Sequence, residues 1–266
     1  MRAIPPWHPH YDVWLVVGLL AFIYVYADLR HRPATASPAT PRQRAWYAIG
    51  VLAILAVSEW PVHELAEESL FSVHMVQHLV ITLVAPAAML LGLPRWMADG
   101  LLPPPVLRLL RPLARPVTAF VLFNGTMVLT HWPDFVAWSL RSELFHFTAH
   151  AWLFGTALLM WLPVLSPTPL LPRLSPPMQM LYLVTQTLLP NIPASFLTFS
   201  RIPLYPAYGD AALAFGVTAV EDQTFAGLIM KLGGTFFFLA VLATVWFRWN
   251  NREESWERLQ RDLSRS

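Results

Sequence analysis

The feature that most constrains this chain is a series of long apolar segments separated by short polar ones. A helix needs about 20 mostly apolar residues to cross the hydrocarbon core of a bilayer, and seven segments approach or exceed this length. Charged residues make up only 13% of the chain, against roughly 25% in soluble domains, so a water-soluble globule is excluded. The sequence therefore predicts an all-α, polytopic membrane helix bundle of about seven transmembrane helices, at residues 11–28, 44–60, 70–92, 117–133, 145–165, 178–199 and 225–247.

The positive charges predict how this bundle is oriented. Loops rich in Lys and Arg stay in the cytoplasm, and 14 of the 18 Lys and Arg residues lie in the loops after the first, third and fifth segments and in the C-terminal tail. The N-terminus is therefore expected outside and the C-terminus in the cytoplasm. We interpret residues 1–266 as one membrane domain with a charged cytoplasmic tail at 251–266. The sixth segment contains Pro190 and Pro193, which predict a kink.

Histidine is unevenly distributed on this topology. Only His31 falls in a cytoplasmic loop, and the other eight of the nine histidines fall on the outer side. An ionisable or metal-binding side chain inside a membrane is costly, so such residues tend to face the bundle interior and to mark function. The outer histidines come from several segments, and they are His8, His10, His63, His74, His78, His131, His146 and His150.

Two histidine pairs share a spacing of four residues, His74 with His78 and His146 with His150. Residues four apart lie on one face of a helix, so a pair can bind one metal ion, or facing pairs can share one. The chain has no Cys, and imidazole sites suit Cu, Zn, Fe and Ni. We therefore expect a metal site formed by both pairs, with His131 beside it. The alternative is that a histidine only packs and hydrogen-bonds near the interface, which is our interpretation of His8, His10, His31 and His63.

An acidic group, Glu221 and Asp222, begins the seventh segment on the same outer side. Acidic side chains favour helix N-termini because they complement the helix dipole, so a solvated cap is one interpretation. The other is a carboxylate that binds the metal or orients a histidine ligand, and Asp222 belongs to the candidate site for this reason. Lys231 lies about two turns further along the helix. It is expected to extend toward the interface or to pair with Asp222 or Glu221.

Several short motifs resemble the CtaG family of cytochrome c oxidase assembly proteins. The stretch His74-Met75-Val76-Gln77-His78-Leu79 is similar to the family's signature, and it is followed by Ala85-Pro86 and Leu91-Gly92-Leu93-Pro94. Further blocks of the family match in order: His131-Trp132-Pro133, the pair His146 and His150, Leu204-Tyr205-Pro206, and Asp222-Gln223 with Ala226-Gly227-Leu228-Ile229-Met230. The resemblance covers roughly residues 45–250 and departs from the family at Lys231, where an aromatic residue is expected.

The resemblance implies a non-catalytic assembly factor for haem-copper cytochrome c oxidase in a bacterial inner membrane, acting in copper delivery or insertion. The implied partners are oxidase subunits, the lipid bilayer and a periplasmic copper chaperone. In this interpretation copper binds His74, His78, His146 and His150, and passes to an oxidase subunit by ligand exchange. His131 and Asp222 are further ligands or orient the ligands. The sequence contains no P-loop, dinucleotide fingerprint or nucleic-acid patch, so nucleic acid is not an expected partner.

Three other functions remain open on the sequence. A structural membrane chaperone without metal would use the same histidines only for packing. A bis-histidine haem protein needs one ligand from each of two facing helices, and His74 or His78 together with His146 or His150 would provide them. A zinc hydrolase needs an open coordination position and an acid or base such as Glu221. The sequence has no motif for it, because the segment beginning at His63-Glu64 has Glu67 where a zinc protease has its second His.

Overall fold

The computed structural model describes residues 4–264, and regular structure within this range is entirely helical. The all-α prediction is therefore confirmed for the described residues. Short 3₁₀ turns at Pro206–Tyr208 and Ala211–Phe215 lie in the last long loop. The helices in chain order are α1 (Tyr11–His31), α2 (Pro41–Val57), α3 (Val62–Glu68), α4 (Phe71–Gly92), α5 (Arg95–Gly100), α6 (Pro104–Leu113), α7 (Pro116–Thr130), α8 (Pro133–Ser139), α9 (Glu143–Leu165), α10 (Pro176–Leu188), α11 (Asn191–Phe199) and α12 (Ala219–Leu263).

Several of these helices are suited to crossing a membrane. Among the described residues, α1, α4, α9 and α12 are long and apolar enough, and α2 with α3 makes a fifth candidate if the two helices, bent by 47°, form one span. The α7 helix is apolar but has only 15 residues. The described residues thus contain four or five candidate membrane spans, as expected of a polytopic membrane protein. The count of seven, the outer N-terminus and the cytoplasmic C-terminus stay predictions.

The sixth predicted segment is divided into two helices. The first, α10, ends at Leu188, and α11 begins at Asn191 directly after Pro190. Proline lacks the N–H that a continuous helix needs, so the break falls where the sequence predicts a kink. The amide of Asn124 on α7 donates a hydrogen bond of 2.8 Å to Gln186 on α10. This bond joins two helices that are each too short to cross a membrane unaided.

The central helix of the bundle is α4. Its apolar stretch is 72% buried, and it packs against α2, α3, α9 and α12. Two glycines permit the close approach of α4 to α2, because a Cβ at either position would lie too close to the other helix. A Cβ on Gly50 would lie 2.8 Å from the Ala85 carbonyl oxygen, and a Cβ on Gly92 would lie 2.6 Å from the Tyr47 Cβ. Side chains on the first turns of α4 are therefore enclosed by several other helices.

The last helix extends beyond the predicted span. It continues to Leu263, so most of the charged tail is helical, and residues 265–266 lie outside the described residues. Lys231 lies in a π-helical turn of α12, with its Nζ 3.4 Å from the Ser195 hydroxyl. Among the described ion pairs Lys231 has no carboxylate partner, so the expected pairing with Asp222 or Glu221 is not found.

Candidate metal centre

Seven histidine side chains converge at the end of the bundle where α4 begins. Neighbouring rings have centroid separations of 4.2 to 6.4 Å. The structure brings together the five histidines of the predicted site and adds one from α3 and one from the segment before α1. The seven are His10 directly before α1, His63 from α3, His74 and His78 from α4, His131 directly after α7, and His146 and His150 from α9.

One group consists of His74, His78 and the half-buried His150, which we call the buried triad because one ring nitrogen of each is buried. Each offers one ring nitrogen, and these nitrogens all lie within 4.8 Å of one another. His74 and His78 expose only 5% and 6% of their surface. A cavity of about 10 Å³ adjoins the three rings, which is about the volume that one water or one small ion needs. The geometry therefore suits a single desolvated ion.

Several ring nitrogens of this region have no hydrogen-bond partner among the described residues. An unpartnered buried polar group costs about 1–3 kcal/mol, and such groups are few in native proteins. Four of them in one region have neither a hydrogen bond nor an ion pair to a described residue, and their lone pairs form a set of ligands for a metal cation. They are His74 Nδ1, His78 Nδ1, His131 Nε2 and His150 Nε2.

His131 lies at the edge of the buried triad, with its ring centroid 5.6 Å from that of His78. Its Nδ1 lies 2.7 Å from the Met127 carbonyl oxygen, which only accepts hydrogen bonds, so Nδ1 carries the proton. Its Nε2 then has a free lone pair, as in a metal-binding histidine whose second nitrogen is held by an acceptor. The Tyr205 hydroxyl donates to the His131 carbonyl oxygen at 2.8 Å and fixes this turn.

A second group, which we call the mixed triad, consists of His63, Glu67 and His146. Its three ligand atoms also lie within 4.8 Å of one another, and Glu67 Oε1 is 2.9 Å from His63 Nε2 and 2.7 Å from His146 Nε2. From the sequence, His63 is interpreted as an ordinary interfacial residue and Glu67 is not among the candidates. Their spacing of four residues shows in the sequence only that they share one face of α3, and it does not indicate that His146 lies beside them.

Asp222 lies outside both triads and binds the N-terminus of α4. Its carboxylate accepts hydrogen bonds from the backbone nitrogens of Phe71 at 2.6 Å and of Ser72 at 3.3 Å, and from the Ser72 hydroxyl. Both carboxylate oxygens are thus engaged by the turn that precedes His74. This placement favours the interpretation in which Asp222 orients a ligand-bearing helix over the one in which it is itself a ligand.

A buried tyrosine ties the last long loop to the mixed triad. The Tyr208 hydroxyl donates to the carbonyl oxygen of Ala66 at 2.9 Å, next to Glu67 in the chain. Burial raises the pKa of Tyr208 well above its ordinary value, and the charges of Glu67 and Asp222 add to this. The hydroxyl therefore stays protonated and remains a donor throughout the physiological range.

The fold and the site define a class: a polytopic membrane helix bundle with a cluster of buried imidazoles that is suited to a metal ion. The sequence model of the family described as cytochrome c oxidase caa3 assembly factor matches residues 20–252. The chain belongs to this family, as the motifs around His74 and Asp222 imply. No curated protein and no solved structure matches the chain.

Proposed function

We propose that this protein is a non-catalytic factor of the bacterial inner membrane that holds copper in the buried triad and delivers it during assembly of cytochrome c oxidase. The family match supports the role in oxidase assembly. The observation that carries the metal role is the group of four buried imidazole nitrogens, those of His74, His78, His131 and His150, without partners among the described residues. The proposed partners are an oxidase subunit as acceptor and a periplasmic copper chaperone as donor.

The ligand chemistry favours copper over the other ions. The buried triad offers nitrogen only, which does not suit Mg²⁺ or Ca²⁺, because these ions prefer oxygen. Among divalent first-row ions at a nitrogen site, Cu²⁺ has the highest affinity. Zinc also suits imidazole, but a haem-copper oxidase provides a direct use for copper.

The structure gives less support to the other functions. A haem needs room for a porphyrin between its two histidine ligands, and the cavity beside the buried triad measures only about 10 Å³. A structural chaperone without metal would leave the four ring nitrogens unsatisfied, at a cost of about 1–3 kcal/mol each.

Release of the ion follows from the position of His131. Its free Nε2 is buried next to His78, so it is available as an additional ligand while one of the triad ligands is exchanged. An acceptor subunit then replaces the protein's imidazoles one at a time, and the ion never passes through an uncoordinated state.

The test is the double variant His74→Ala/His78→Ala in cells and as purified protein. We expect the purified variant to lose the copper that wild type retains during dialysis against a weak chelator, and the oxidase in the variant's membranes to lack copper. His31→Ala is the control, because His31 is exposed and lies outside the imidazole cluster. His150→Gln repeats the test with a milder change. Fully metallated oxidase in both variants, or wild type without copper, would contradict the proposal.

A further inference from the structure

We propose that the mixed triad is a second metal site, which receives a divalent copper ion from the solvent side and passes it to the buried triad. This inference rests on the proposed function, since it supplies the route by which the ion reaches the buried triad. Its ligands are His63 Nε2, Glu67 Oε1 and His146 Nε2. None of the three belongs to the buried triad.

The contacts between these atoms resemble those of ligands around a cation. His146 Nε2 and His63 Nε2 lie 2.7 Å and 2.9 Å from the same oxygen, Glu67 Oε1. The three ligand atoms thus lie within 4.8 Å of one another, so a cation can replace the proton that a histidine now shares with the carboxylate. His146 Nδ1 lies 3.0 Å from the Ser139 hydroxyl oxygen, which can accept a hydrogen bond from Nδ1–H, so that the unprotonated Nε2 is available to bind an ion.

Binding through His63 requires one local change. Its Nδ1 now lies 3.1 Å from the amide nitrogen of Gln77, which also donates to the Val57 carbonyl at 2.9 Å. When His63 Nε2 binds an ion, Nδ1 must carry the proton and needs an acceptor. The Gln77 Oε1 atom is buried and has no partner among the described residues, so a turn of the amide can supply that acceptor at the cost of the hydrogen bond from Gln77 to the Val57 carbonyl oxygen. Gln77 also lies between His74 and His78 on α4, which links the two triads.

An acidic cavity leads to the mixed triad. It has a volume of about 460 Å³, and all three members of the mixed triad line it, whereas His74, His78 and His150 do not. A cleft lined by one sign of charge concentrates ions of the opposite sign. Against the single Arg141, the cavity wall carries five carboxylates, those of Asp12, Glu64, Glu67, Glu68 and Glu143.

The two triads are close enough for direct ligand exchange. The His146 ring centroid lies 4.2 Å from that of His150 and 6.4 Å from that of His74. A carboxylate with two imidazoles suits a divalent ion such as Cu²⁺. In the transfer each bond from copper to a mixed-triad ligand is replaced by a bond to a buried-triad nitrogen. The oxidation state stays the same throughout.

Full-length protein in detergent, titrated with Cu²⁺ and followed by electron paramagnetic resonance and equilibrium dialysis, tests this inference. In the His74→Ala/His78→Ala variant we expect one weakly held Cu²⁺ with mixed nitrogen and oxygen ligation, and we expect Glu67→Gln in that background to remove it. Glu67→Gln alone is expected to keep the copper of the buried triad but to load it at least about tenfold more slowly. Glu221→Gln is the control, because it makes the same charge change at an exposed residue outside the acidic cavity.

The outcomes separate the two proposals. If wild type binds Cu²⁺ and His74→Ala/His78→Ala binds none, or if Glu67→Gln changes neither binding nor loading, the mixed triad is not a metal site while the proposed function stands. If wild type itself binds no Cu²⁺, the proposed function fails. His150→Gln replaces the double variant should size-exclusion chromatography show that the latter does not fold, and the same expectations apply to it.

Discussion

Imidazole nitrogens without partners are the residue-scale feature from which the functional assignment follows. A histidine whose role is only packing makes a hydrogen bond through its buried nitrogen, as His131 Nδ1 does to the Met127 carbonyl oxygen. The second nitrogen of His131, and one nitrogen each of His74, His78 and His150, have no such bond to a described residue. In a membrane protein, water is not freely available to replace it, so a metal ion is the natural partner.

Asp222→Asn should weaken copper binding although Asp222 is not in either triad. The substitution removes the charge that holds the N-terminus of α4, and a hydrogen bond to a charged group contributes about 1.5–3 kcal/mol. We expect a loss of stability of this order and a copper affinity roughly tenfold lower, as for other residues that orient ligands. Thermal unfolding and copper titration measure the two effects.

Glu221→Gln is the control for this prediction. Glu221 is exposed and bonds only to Thr218 within its own capping box, so copper affinity should stay at the wild-type value. An Asp222→Asn protein with unchanged copper affinity would show that the α4 cap does not position His74 and His78.

Most residues of the candidate site could be predicted from the sequence, because a spacing of four places both members of a histidine pair on one helix face. His63 and Glu67 could not be predicted as site residues. They follow an apolar segment in an acidic stretch of the sequence, where a carboxylate usually remains solvated. Their proximity to His146 depends on how α3 folds back against α4. Sequence spacing alone carries no information about that contact.

At the scale of helices, the close packing of α2 against α4 fixes where the ligands of α4 lie. Gly50→Ala should therefore destabilise the protein, because the added Cβ would meet the Met89 side chain at 2.5 Å and the Ala85 carbonyl at 2.8 Å. Overpacking of this kind costs typically about 1–3 kcal/mol. Thermal unfolding in detergent measures the loss.

Gly18→Ala is the matched change in a helix interior, because a Cβ added at Gly18 would have no atom within 4 Å apart from the nearby backbone of its own helix. It should leave stability unchanged or raise it by up to about 1 kcal/mol, since alanine favours helix more than glycine does. Equal effects of the two substitutions would contradict the close α2–α4 packing.

The helical class and the boundaries of α4 follow from the sequence, since a run of apolar residues beginning at Phe71 can adopt few other structures in a membrane. The pairing of α7 with the divided α10 and α11 could not be predicted from the sequence. From the sequence, Asn124 is expected to be a generic interhelical donor, and its bond to Gln186 depends on which helices are neighbours. The number of spans also differs between the two. Hydropathy predicts seven apolar segments, whereas the described helices are long enough for only four or five spans.

At the scale of the whole molecule, the charge bias predicts that the imidazole cluster faces away from the cytoplasm. The chain has no native Cys, so single cysteines report on orientation without background. Ala214→Cys lies on the long loop beside the triads, and Ser37→Cys lies on the loop between α1 and α2; both positions are exposed. A membrane-impermeant maleimide should label Ala214→Cys in intact spheroplasts and Ser37→Cys only after permeabilisation. The reverse pattern would place the triads on the cytoplasmic side.

Copper held by the imidazoles of the buried triad is the feature on which the proposed function depends. X-ray absorption at the copper edge of the purified protein measures this directly. We predict a nitrogen first shell with the outer-shell scattering of three imidazole rings, one from each of His74, His78 and His150, and one ring fewer in His78→Ala. A first shell without imidazole scattering, or a spectrum that His78→Ala leaves unchanged, would contradict this prediction.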